Sequence, residues 1–220
     1  MIQTKTRQEI IDDFHKLYYD VAGKGLTWGS TSYMGHKIWK MPSDLYLYSE
    51  VLWQVQPQLI IEAGTAFGGS ALWFANQLDH YGSGKVLSID IKPIERNYPH
   101  HPRITYFGGH SSTDEVVLKA ARGVVAWEEG PTMVILDSLH TEAHVFDELT
   151  AYTPLVSENS YLVVEDTNVG PNDVVFPEHG PGPGDAVRRW LPQHPEFVRD
   201  ERLPASQLFS FHTWLKRRRV

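Results

Sequence analysis

The chain of 220 residues contains no cysteine, which excludes disulfides, thiolate metal sites and cysteine nucleophiles. No apolar run approaches the roughly 20 residues needed to span a bilayer. The N-terminal "MIQTKTRQEIIDDFHKLYYD" has no cationic start followed by an apolar core, so it does not read as a signal peptide. These absences predict a cytoplasmic protein that does not associate with membranes. Positive charge is also scarce, with 20 Lys and Arg against 27 Asp and Glu and a formal net charge of −7. Nucleic-acid binding needs a basic footprint. The one basic run, Lys216 to Arg219, reads as a solvated terminus, so no nucleic-acid partner is expected. The sequence has no low-complexity segment and no internal repeat.

With 41% hydrophobic and 21% charged residues, the composition is that of a globular domain with a substantial core. One domain is expected over residues 1–220, with a helical cap over 1–56 and an α/β core over 57–220. In the cap, Ile10, Ile11, Phe14, Leu17, Tyr18 and Val21 recur at helical spacing, predicting a helix over 5–22. An aromatic, loop-like stretch follows, then a helix from Ser43 with Ser43 or Asp44 as its cap. In the core, the β-rich runs "QLIIEAG", "KVLSIDI", "RITYFGG", "TMVILDS" and "SYLVVEDT" alternate with helical patterns. The helix "DAVRRWLPQH" and the runs "EFVRDE" and "LFSFHTWLK" close the chain, the last two as an antiparallel pair. This alternation predicts a doubly wound α/β fold, mostly parallel with an antiparallel C-terminal strand. Such folds bind ligands beyond the carboxyl ends of their strands.

The residues with chemical potential lie at those ends. After the first core strand comes Glu62-Ala63-Gly64-Thr65-Ala66-Phe67-Gly68-Gly69-Ser70. Glycine there permits a tight turn and close approach of backbone to a ligand, but the spacing is not the dinucleotide G-x-G-x-x-G. The second strand ends in Asp90, placed to accept ribose hydroxyls. Both NAD and S-adenosylmethionine fit these features. The fourth strand ends in Asp137-Ser138-Leu139-His140 and the fifth in Glu165-Asp166. If these strands are neighbours, three carboxylates converge, and they repel one another unless a cation or proton lies between them. Hard oxygen donors suit Mg²⁺, Mn²⁺ or Ca²⁺. Hydride transfer has no need of that cation, whereas a transferase that ionises a hydroxyl does. His140 suits a general base near neutral pH. His144, four residues on, is expected to face the same way.

The segments "KMPSDLYLYSEVLWQVQPQLIIEAGTAFGGSALWFA", "IDIKP", "HPRITYFGGHSS", "LDSLHTEAHVFDEL", "VVEDTNVGP" and "GPGPGDAV" together resemble the cephalosporin hydroxylase family. Despite that name, its members resemble S-adenosylmethionine-dependent methyltransferases and are related to metal-dependent sugar O-methyltransferases of macrolide biosynthesis. The resemblance implies a Rossmann-like class I methyltransferase fold. It also implies Asp137, Glu165 and Asp166 as ligands of Mg²⁺ and His140 as base. Glu62, Gly64, Thr65, Gly69 and Ser70 would line the methionine part of the cofactor, Asp90 would hold the ribose, and Ser111 or Ser112 would lie near the adenine. Lys40, Met41 and Asp44 match an upstream motif placed to cover the cofactor. The expected reaction methylates a hydroxyl of a small molecule, a sugar or glycosylated natural product. Residues 28–39 and 168–184 are its expected walls, the second as a hinged lid. A homo-oligomer is the default for the class. An NAD-dependent oxidoreductase, a hydroxylase-like tailoring enzyme and a silent cofactor-binding scaffold are the rival readings.

Overall fold

A computed structural model describes residues 5–20, 27–94, 97–203 and 210–219. Its centre is a sheet of β3 (Leu59–Ala63), β4 (Lys85–Asp90), β5 (Ile104–Gly108), β6 (Thr132–Leu136), β7 (Tyr161–Val164), β8 (Phe197–Arg199) and β9 (Thr213–Arg217). The strand order is β5-β4-β3-β6-β7-β9-β8. The first five strands pair in parallel, and β9 runs antiparallel to both β7 and β8. The predicted sheet, including its antiparallel C-terminal pair, is therefore present. Strand order reverses between β3 and β6, which opens a crevice at their carboxyl ends.

β3, β6 and β7 are buried along their whole length, as parallel strands covered on both faces must be. Alternate residues serve the two faces. Leu59, Ile61, Val134, Leu136, Leu162 and Val164 pack with α4 (Glu115–Trp127), α5 (Glu142–Tyr152) and α6 (Pro183–Trp190). Ile60, Met133, Ile135, Tyr161 and Val163 pack with α2 (Pro42–Val55) and α3 (Gly69–Tyr81). A third cluster joins α1 (Arg7–Tyr18) and Tyr19 to Met41, Val169, Val175 and Phe211, so the N-terminal helix roofs the crevice.

Several local expectations need correction. The stretch 28–39 is not all loop: β1 (Ser32–Tyr33) and β2 (His36–Lys37) form an antiparallel hairpin. Its turn residues Met34 and Gly35 both have positive φ, and a methionine there gives no turn signal. Helix α2 starts at Pro42 with Met41 as N-cap, and neither Ser43 nor Asp44 caps it. Proline pre-sets the first turn, and Asp44 is buried beside His212 instead. The last strand begins only at Thr213, because His212 turns toward Asp166 and Phe211 toward α1. Val21, Leu208 and Phe209 lie outside the described residues. Half of the basic run is no solvated tail: Lys216 and Arg217 belong to β9, with the Lys216 ammonium 5.3 Å from the centre of the Tyr161 ring.

Segment 168–184 is packed rather than loose. Gly182 and Gly184 lie so close to the carbonyls of Val169 and Thr167 that a Cβ would overlap or crowd them. Arg188 ties Asp173 to Asp185. Among the described residues, no helix is long and apolar enough to cross a membrane.

Candidate active site

The glycine turn is shaped by what presses against it. Gly64 has φ +106°, and a Cβ there would overlap the carbonyl oxygen of Asp137, so the ends of β3 and β6 meet across the crevice. Ala66 adopts the left-handed region at φ 47°, and its N–H donates to Asp90 Oδ2 at 2.8 Å. Lys92 N–H donates to Asp90 Oδ1 at 2.8 Å. Each Asp90 oxygen keeps a further lone pair for a ligand. Gly68, at φ 77°, caps α3 and brings the first turn of that helix to the cavity. The carbonyl of Lys37 occupies the place of a Cβ on Gly69, which locks the hairpin onto the turn.

These elements enclose a cavity of about 600 Å³. Gly64, Thr65, Gly69, Ser70, Asp90, Ser111, Ser112 and Met41, all predicted from sequence, line it. Glu62 does not. It follows Ile60 on the α2–α3 face of β3 and is wholly buried, accepting from Ser88 Oγ at 2.6 Å, while Ser88 also bonds Thr65 Oγ1 at 2.7 Å. Glu62 Oε1 has no donor at bonding geometry, although Ser70 lies near enough to favour the charged form. Burial raises the Glu62 pKa to about 7, against the opposing influence of Lys40, Ser70 and Ser88.

That shift has a testable sign. The unfolded carboxyl ionises near its ordinary value of 4.5, the folded one near 7. Between those values the unfolded chain binds fewer protons, so stability falls as pH rises and the loss is complete above about pH 7. At 1.36 kcal/mol per unit it amounts to about 3 kcal/mol. Glu62→Gln removes the penalty. In the cofactor-free protein, urea denaturation should show the variant gaining stability over the parent from pH 5 to about pH 7 and then levelling off. A difference independent of pH would refute this account.

The carboxylates gather one layer away. β6 and β7 are parallel neighbours with Leu136 opposite Val164, so Asp137 and Glu165 leave the sheet at the same level. Asp166 is held at φ 52°, a strained value for aspartate that aims it back into the crevice. His140 bridges the two edges, with Nε2 3.2 Å from Asp137 Oδ1 and Nδ1 3.5 Å from Asp166 Oδ2. Asp137, His140 and Asp166 each offer a ligand atom within 4.8 Å of the others. Oxygen-rich and free of sulfur, this donor set fits a hard divalent cation. Glu165 is directed elsewhere: its Oε1 forms an ion pair with Lys40 Nζ at 2.6 Å and accepts from Tyr48 OH at 2.6 Å.

Charge is concentrated here. Burial works against ionisation of Asp137, but the Lys40 ammonium and His140 hold its carboxyl well below the usual range. Burial and the neighbouring Asp137 raise that of Glu165. Burial opposes charge on His140, yet Asp166, Asp137 and Glu165 lift its pKa to about 9. His144 does not join this group. His140 precedes the helix that carries His144, so the one-turn spacing between them does not apply. His144 Nε2 instead pairs with Ser138 Oγ at 3.0 Å, in a network with Ser112 and the buried Glu148.

Sequence reasoning passed over Tyr19, Tyr48 and His212. Tyr19 OH donates to Asp166 Oδ1, and the Asp166 N–H donates to His212 Nδ1 at 3.2 Å. The one available signal was an isolated histidine in the apolar run "FSFHTWL". Around the mouth, Tyr19, Trp28, Trp39 and Phe67 form a chain of tilted and edge-on rings with centroids 6.3, 4.8 and 4.8 Å apart. Of the expected walls, Trp28, Lys37, Ile38 and Trp39 from the first and Val169, Phe176 and His179 from the second line the cavity.

Comparison with known proteins places the chain among relatives of shared sequence and fold. Residues 26–218 match the sequence profile of the Rhamnosyl O-methyltransferase/CmcI family. A Rhamnosyl O-methyltransferase of Mycobacterium tuberculosis (strain H37Rv) is 36% identical over 189 residues, 84% of this chain and 75% of the relative. Among solved structures, CmcI with Mg and S-adenosylmethionine superposes with a TM-score of 0.65 at 21% identity, over 85% of this chain and 76% of that one. The MycE methyltransferase of the mycinamycin pathway, solved with Mg, S-adenosylhomocysteine and mycinamycin VI, gives 0.55 at 16% identity, over 95% and 54%. At these identities the two structures speak for the fold.

Proposed function

The chain belongs to the rhamnosyl O-methyltransferase/CmcI family, and on that footing we propose that it carries the methyl group of S-adenosylmethionine to a hydroxyl of a sugar or glycosylated natural product in a Mg²⁺-dependent reaction. The observation that carries this reading is the convergence of Asp137, His140 and Asp166 within 4.8 Å, at the edge of the cavity built on the glycine turn. Of the residues present, Gly64, Thr65, Gly69 and Ser70 would hold the methionine end of the cofactor, Asp90 the ribose, and Ser111 or Ser112 the adenine, with Met41 over the top. Asp137, Asp166 and, after a turn of its side chain, Glu165 would hold the cation. When bound, the cofactor supplies an electrophilic methyl and the cation lowers the pKa of an adjacent hydroxyl.

The protein's own share is positioning and proton transfer. The two carboxylates flanking His140 orient its ring and strengthen it as a base. They also keep it protonated at neutral pH while their charge is unbalanced. A base must be free of its proton, and a bound cation would offset the negative charge that holds it there. The aromatic chain at the mouth offers ring faces to the C–H surfaces of a sugar. Tyr18 and Tyr19, which precede the family match at residue 26, also line the cavity.

Isothermal titration with S-adenosylmethionine, S-adenosylhomocysteine and NAD, each with Mg²⁺ and with EDTA, tests the reading. The S-adenosyl ligands should bind and NAD should not. Asp137→Ala should lose the separate Mg²⁺ isotherm while retaining S-adenosylhomocysteine. NAD binding alone, or binding of none of the three, would return the oxidoreductase and scaffold readings, whereas turnover indifferent to EDTA would remove only the metal.

A further inference from the structure

Lys40 is the only buried lysine among the described residues, with 3% of its surface exposed. Its ammonium lies between Asp137 Oδ2 and Glu165 Oε1, paired with both, the second at 2.6 Å. It therefore sits against two of the three carboxylates assigned to the cation, and Glu165 Oε1 is further committed to Tyr48 OH at 2.6 Å. The atoms left facing one another across the crevice belong to Asp137, His140 and Asp166, without Glu165.

Two positive charges cannot share one such position, because in a buried site their repulsion far exceeds its value in water. Without a positive charge, however, adjacent buried carboxylates would repel each other and draw protons. A lysine on its flexible four-carbon stem is a compact point charge that can satisfy this need and withdraw. We infer that Lys40 is the resident counter-ion of the Asp137–Glu165 pair, and that a divalent cation loads by exchange against its ammonium. This rests on the metal site proposed above. Lys40 lies between Trp39 and Met41, both on the cavity wall, and the preceding Lys37 carbonyl packs on Gly69 of the cofactor turn. A movement of Lys40 therefore reaches the cofactor cavity.

The test uses the full-length protein and Mg²⁺ alone, with no acceptor and no turnover. Lys40→Met and Lys40→Gln should bind Mg²⁺ at least tenfold more tightly than the parent by isothermal titration. In EDTA both should melt at a lower temperature than the parent, since the carboxylate pair has lost its cation. In the unmodified protein, the slowly exchanging ¹⁵N signal of the buried lysine ammonium should be lost or displaced as Mg²⁺ saturates. Unchanged or weaker Mg²⁺ binding in folded variants, or an ammonium signal unmoved at saturation, would overturn the exchange and leave Lys40 as a fixed positioning residue. The metal site fails separately: in that case the parent and both variants all give no Mg²⁺ isotherm, and the exchange falls with it.

Discussion

Replacing His140 by glutamine should lower kcat by about 10²–10⁴, the usual contribution of a positioned general base. Glutamine keeps a polar side chain between Asp137 and Asp166 but cannot take up a proton, so S-adenosylhomocysteine affinity should stay as in the parent. Turnover would be followed as S-adenosylhomocysteine release on whichever sugar acceptor the parent methylates. The pH profile separates a base from a merely structural histidine. In the parent, the rate should rise with pH as the imidazole loses its proton. The variant should lack that limb, so its deficit should widen as pH rises through the titration of the imidazole. A kcat near the parent value, or a constant deficit across pH, would remove His140 from the proton-transfer role. Its place between two carboxylate oxygens would then be that of an ion pair.

Gly64→Ala should be the most damaging small substitution in the crevice. It forces a side chain onto a residue at φ +106° and drives the new Cβ into the carbonyl of Asp137. Left-handed backbone costs an ordinary residue roughly 1–2 kcal/mol, and overpacking against rigid backbone roughly 1–3 kcal/mol more. A loss of about 3 kcal/mol corresponds to a fall in Tm of roughly 6–12 °C in a domain of this size. The strain is not confined to the turn, because the carbonyl that must yield belongs to Asp137 itself. S-adenosylhomocysteine and Mg²⁺ affinity should therefore fall together. Gly123→Ala is the control: Gly123 lies within α4 with nothing in 4 Å of its would-be Cβ. It should gain roughly 0.5–1 kcal/mol from helix propensity. Equal melting temperatures for Gly64→Ala and the parent would show that the ends of β3 and β6 can separate freely.

The two predictions differ in how far each could have been made from sequence. His140 was legible as a histidine three residues past a strand-end aspartate, opposite a second strand ending in Glu165 and Asp166. Gly64 was legible as a turn glycine, but nothing in the sequence said that it touches Asp137, 73 positions away. The same holds for the hairpin over 32–37, whose Met34 carries no turn signal, and for Asp44, whose side chain serves His212 rather than its own helix.

Strand and helix period, the apolar runs of the parallel strands and the polar residues at their ends were determined locally, because each depends on spacing within one segment. They placed the crevice, the glycine turn and the acidic cluster before any coordinates. Which polar groups pair was decided only by the fold. Lys40, Tyr19, Tyr48 and His212 come from three segments distant from both strand ends, and each is bound there by a charge or hydrogen bond. Such pairings have no period to read. Burial imposes them, since a charged or polar group taken out of water must find a partner wherever the packed chain brings one.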